Sequence, residues 1–120
     1  MSDSSAQSAF SFPGRTAQPI GLINSGTTAF AISASTSKAA GQVVWFQVTE
    51  IAGGTANLTL DLFDGTTAYV FHRLTALTAG QELLYARGWW LPIGWSIRAT
   101  CSIASNISVV GLQTIPAQSV

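Results

Sequence analysis

The apolar positions of this chain recur at every second residue in short blocks, and no segment keeps a helical spacing. Leu58, Leu60 and Leu62 alternate with Asn57, Thr59 and Asp61, and Ile97, Ala99, Cys101 and Ile103 alternate with Ser96, Arg98, Thr100 and Ser102. Successive side chains of a strand point to opposite faces, so this pattern predicts strands with one face on a core and the other outward. Val43-Val44-Trp45-Phe46 is apolar without alternation up to Gln47, which predicts a strand covered on both faces. Further strands are expected over 19–24, 27–33, 67–73, 107–115 and around the Trp89-Trp90-Leu91 run, with Tyr69 and Phe71 on one face and Val70 and His72 on the other. Asp64-Gly65 predicts a type I′ hairpin, because both residue types tolerate positive φ. Thr78-Ala79-Gly80 predicts a second hairpin, joining 74–77 to 81–87.

About eight strands separated by regular turns define the expected fold class: all-β, an antiparallel β-sandwich, and within it a jelly roll of about eight strands. An immunoglobulin-like sandwich or a small barrel has the same periodicity, although no Cys-Trp-Cys arrangement of the antibody type is present. The first forty residues are rich in Ser, Ala, Thr and Gly and interrupted by Pro13 and Pro19. Residues 1–16 are expected to form an extended N-terminal arm anchored by Phe10 and Phe12, and residues 17–120 the sandwich domain.

Composition changes the picture in one respect. Of 120 residues, 48% are hydrophobic and only 8% charged, against about 25% charged in an ordinary soluble domain. Five basic residues balance five acidic ones, and neither sign clusters. Nucleic acid is therefore not an expected partner, since that affinity comes largely from Lys and Arg on phosphates. A small domain with so little charge tends to associate, so a homo-oligomer is expected, with a trimer as the guess that jelly-roll habits favour. No run approaches the roughly 18 apolar residues of a membrane span, so no membrane partner is expected either. Met1-Ser2-Asp3-Ser4-Ser5 has neither the basic nor the apolar region of a secretory signal, which points to synthesis in a cytoplasm.

Chemistry is sparse. Gly21 to Thr28 spaces two glycines as a phosphate-binding loop does, but Thr27 stands where that loop needs Lys, so the stretch reads as a turn. One His and one Cys do not assemble a metal site, and Asp61 and Asp64 at the hairpin tip read as turn-forming Asp rather than as Ca²⁺ ligands. Glu50 and Glu82 are the only glutamates, each expected at a solvated strand edge, so no glycosidase pair is assigned. No nucleophile elbow occurs. Catalytic, cofactor-binding and metal residues are accordingly none, no cofactor is expected, and the chain is not read as an enzyme. Cys101 reads as a small core residue.

The tryptophans are the remaining feature. Trp45 and Trp95 are expected in the core, whereas adjacent Trp89 and Trp90 must point to opposite faces of a strand, leaving one outside. An exposed Trp stacks on sugars or anchors protein interfaces. Phe10, Phe12, Trp89 and Trp90 are thus the candidate interface residues.

The stretch Leu83-Leu84-Tyr85-Ala86-Arg87-Gly88-Trp89-Trp90-Leu91-Pro92-Ile93-Gly94-Trp95-Ser96-Ile97-Arg98-Ala99-Thr100, followed by Ile107-Ser108-Val109-Val110-Gly111, resembles the C-terminal half of small structural proteins of tailed bacteriophages. The likeness spans 42–113 and leaves the arm uncovered. It implies a structural virion protein, foremost a capsid decoration (cement) protein bound to major capsid subunits, with a neck, collar or tail accessory protein as the alternative. A carbohydrate-binding β-sandwich is the further alternative, resting on exposed Trp. The resemblance implies the virion as location and the major capsid protein or other virion proteins as partners.

Overall fold

The computed structural model describes residues 14–33 and 40–116. Among them nine strands follow one another: β1 (Arg15–Ile23), β2 (Phe30–Ala31), β3 (Gly41–Glu50), β4 (Ala56–Phe63), β5 (Ala68–Leu77), β6 (Glu82–Tyr85), β7 (Trp89–Leu91), β8 (Ser96–Cys101) and β9 (Ile107–Pro116). One sheet has the order β1-β9-β3-β6, with β7 also paired to β3; the other has the order β2-β8-β4-β5. Every pairing is antiparallel. β6 pairs with Phe46–Thr49 and β7 with Gly41–Val43, so the two are halves of a single strand along one edge of β3. Counted that way the sandwich has eight strands, and each sheet interleaves early and late strands. That is the double Greek key of a jelly roll.

The core lies between the sheets. Phe46, Val48 and Val109 face Leu58, Leu60, Ile97, Ala99 and Cys101, all fully buried. Cys101 is a core residue, as its alternating surroundings imply. Phe46 stacks on Tyr85, its cross-strand partner, at 4.7 Å between ring centres, and Phe71 tilts onto Trp89 at the same separation.

Several local expectations give way. The 74–77/81–87 hairpin does not form: β5 runs unbroken to Leu77, and the Thr78–Gln81 turn carries the chain into the other sheet, where β6 pairs with β3. Alternation fixes which face a strand buries but not which strand it joins. The Asp64 turn is not type I′, because Gly65 has positive φ (100°) while Asp64 does not. Asp64 Oδ1 instead accepts from the Thr66 and Thr67 amides at 2.8 and 2.7 Å, a side-chain-stabilised turn. In β5 a register shift opposite Leu60/Asp61 breaks the alternation, so Phe71 and His72 both reach Tyr85. The Tyr85 hydroxyl and His72 Nδ1 form a hydrogen bond that ties β6 to β5 across the sheets, and burial pushes the Tyr85 phenol above its ordinary value.

Glu50 is the largest departure. It is 2% exposed rather than solvated. Its carboxylate accepts from the amides of Ala52, Gly53 and Gly54 in its own loop and of Gly80 in the β5–β6 loop, at 3.0–3.2 Å. A carboxylate with that many amide donors lacks nothing that water would supply. The Gly80 amide, then those of Gly54, Ala52 and Gly53, hold the Glu50 carboxyl below its ordinary 4.5 against the opposing effect of desolvation. A lowered folded-state pKa stabilises the fold above the unfolded value, and that contribution disappears as pH falls through the folded one. Glu50→Gln is therefore expected to lower the urea midpoint at neutral pH and to lose its disadvantage relative to the wild type in acid, as pH falls below the ordinary carboxylate value and through the lowered one. A pH series of urea titrations on both proteins checks this.

Candidate functional site

Directly opposed residues share a face of a sheet, so the register defines which side chains point away from the core. On the outer face of the β1-β9-β3-β6 sheet, Gly21, Val110, Gln47 and Leu84 form one row, and Pro19, Leu112 and Trp45 the next. A register shift between Val43 and Trp45 marks a bulge that turns Trp45 outward, although sequence reasoning places it in the core. Trp45 is half-buried in its own sheet and is not part of the core cluster, whereas Trp95 packs against that cluster and stacks with Tyr69.

Trp89 and Trp90 point to opposite faces, as their adjacency demands. Trp89 opposes Val43 and packs on the core, with the Arg87 guanidinium 4.6 Å from its ring centre. Trp90 opposes Gln42 on the outer face and is 65% exposed. Leu84 (60%), Ile23 (59%) and Val110 (41%) are exposed on that same face. Exposed apolar side chains are thus set among Gln42, Gln47, Thr49 and Ser108 on this face, while the strand in its middle, β3, is covered by protein on its inner side alone among the described residues. The apolar run at 43–46 predicts cover on both sides; the outer cover is not supplied by the described part of the chain.

Arg15 pre-orders this face. Sequence reasoning places Arg15 and Thr16 in the arm, but both belong to β1. Arg15 Nε donates to Thr114 Oγ1 at 2.6 Å and its Nη2 to the Thr114 carbonyl at 3.0 Å, and its Cζ lies 4.7 Å from the Trp90 ring centre. A guanidinium fixed at one end and lying over an indole restricts the ring before any partner arrives, which lowers the ordering cost of binding. Phe10 and Phe12 lie outside the described residues.

The opposite end of the sandwich is held by polar pins. Asn24 is buried; its Oδ1 accepts from the Asn106 and Ile107 amides and its Nδ2 donates to the Gly26 and Ile103 carbonyls, joining the β1–β2 and β8–β9 loops. Glu50 does the same for the β3–β4 and β5–β6 loops. Neither was identified by sequence, since a polar residue at a strand end reads as solvated. On the outer face of the second sheet, Arg98 pairs with its cross-strand neighbour Asp61 at 2.9 Å and covers the Phe63 ring. Among the described residues no group of three or more His, Cys, Asp or Glu converges as metal ligands.

Among the described residues the geometry offers a preorganised, partly apolar surface. No family profile matches the sequence, and no curated protein matches it. Solved structures do match. In the acidic stable capsid structure of Helicobacter pylori bacteriophage KHP30, one chain is similar at a TM-score of 0.56 and 14% identity, covering 88% of this chain and 90% of that one. A chain of the Bacillus endospore appendages, described as disulfide-linked pili, is similar at a TM-score of 0.50 and 12% identity, with 88% of each chain covered. At these identities the likeness speaks to the fold: this chain shares a whole-domain jelly-roll sandwich with both.

Proposed function

We propose that this chain is a structural virion protein, and within that class a capsid decoration protein that binds major capsid subunits and stabilises the head. The observation that carries the proposal is the exposed apolar face around Trp90, Leu84 and Val110 on a domain with so few charges. An exposed apolar patch of this kind marks an interaction surface, and Trp held in place by Arg15 is the kind of anchor on which interface energy concentrates. The likeness to a capsid chain and to a pilus chain supports the same reading, as both proteins are described in repeating assemblies. Burial of the face contributes roughly 25 cal/mol per Å² at each copy, and repetition over a shell multiplies it.

The test is binding to purified heads. The protein is expected on mature heads at hundreds of copies, with Trp90→Ala weakening occupancy at least tenfold while its own unfolding midpoint stays unchanged. Copy numbers of a dozen or fewer identify a neck or tail accessory protein instead. Absence from the particle, with Trp fluorescence responding to oligosaccharides, overturns the virion reading in favour of a carbohydrate-binding module.

A further inference from the structure

Phe10 and Phe12 stand two residues apart, so an extended segment presents both rings on one side. We infer that residues 8–12 of one copy add as a strand to the free edge of β1 in a second copy, with Phe10 and Phe12 entering the groove between β1 and β2. Among the described residues β1 ends its sheet and pairs only with β9. β2 has just two residues, so the sandwich stays open beside it. Pro19, Ile20, Gly21 and Leu22 form one wall of the resulting cavity of about 270 Å³, Ile32 stands on the other, and Gln113 lies at its base.

The chemistry suits an extended apolar segment. An edge strand offers a row of unpaired amides and carbonyls, and strand addition draws affinity from them and specificity from pockets for alternate side chains. Gln113 lines the groove, and its buried Oε1 has no hydrogen-bond partner.

Chain length decides whose arm arrives. Along β1, Ile20 lies about 20 Å from Gly14 and Leu22 about 26 Å, at roughly 3.3 Å per residue. The backbone of Phe12 stays within about 7 Å of Gly14 and that of Phe10 within about 14 Å, even fully extended. A chain cannot seat both of its own rings beside Ile20 and Leu22. If it folded back along β1 from Gly14, its small polar residues Ser5 and Gln7 would meet the groove instead. A second copy has no such constraint. The inference asks only that copies of the chain meet, and it stands whichever particle carries them.

Full-length protein with benzoylphenylalanine in place of Phe10, irradiated at micromolar concentration, is expected to give covalent dimers. Peptide mapping should join residue 10 to 19–22 or 31–33 of the other copy. Cross-links confined to one chain, or to other surfaces, overturn the inference. As a second readout, the Phe10→Ala/Phe12→Ala variant is expected to keep its circular dichroism and unfolding midpoint and to self-associate about a hundredfold more weakly. Unchanged self-association by sedimentation overturns the inference as well.

Discussion

Gly111→Ala is expected to lower the free energy of unfolding by about 3 kcal/mol or more, a large loss for a single added methyl group. Gly111 sits in β9 opposite Phe46, next to the bulge that turns Trp45 outward. A Cβ there would lie 2.4 Å from the Trp45 carbonyl oxygen and 2.9 Å from the Phe46 Cα. Both are backbone atoms, so no rotamer change relieves the contact, and β9 must move away from β3 in the middle of their pairing. A glycine in a strand marks such close backbone approaches. Gly54→Ala is the control: nothing lies within 4 Å of its Cβ position and its φ is ordinary, so the substitution is expected to be neutral or mildly stabilising. Urea titration of both variants measures the difference, and a Gly111→Ala loss below about 1 kcal/mol contradicts the bulge geometry.

Asn24→Ala is expected to cost about 3 kcal/mol, because two buried amides and two part-buried carbonyls lose their partners at once. The Asn106 and Ile107 amides bond Oδ1 at 2.8 and 3.0 Å, and the Gly26 and Ile103 carbonyls accept from Nδ2 at 3.0 and 2.7 Å. The Asn24 carbonyl also accepts from Ser105, the one non-glycine among the described residues with positive φ, so the same loop carries local strain. Asn106 gives the contrast. It is equally buried, yet its side-chain Oδ1 and Nδ2 have no partners, so Asn106→Leu removes unsatisfied groups and is expected to cost little. Thermal and urea unfolding of the two variants should separate them by at least about 2 kcal/mol; equal losses would contradict the pin.

Much of this architecture is written in residue periodicity. Leu58-Leu60 and Ile97-Ala99-Cys101 face the core as their alternation requires, and Trp89 and Trp90 divide between the two faces of β7. What periodicity could not convey is pairing. β6 matches β3 or β5 equally well by apolar pattern; in the fold Tyr85 stacks on Phe46 of β3 and meets Phe71 of β5 across the core. Bulges are equally silent, since each is one residue out of phase: one turns Trp45 outward, and the other brings His72 to Tyr85. Glu50 and Asn24 escaped because their partners are mostly backbone amides and carbonyls, several of them from loops distant in sequence, and backbone groups leave no trace in side-chain composition. The candidate surface was legible in part. The doubly apolar run at Val43–Phe46 signalled cover on two sides, and among the described residues the outer side has none.

Sedimentation velocity of the full-length chain from one to several hundred micromolar tests most directly whether the exposed apolar face draws copies together. Species at multiples of the 12.5 kDa chain mass are expected, populated increasingly with concentration. A single 12.5 kDa species across the whole range would contradict that association.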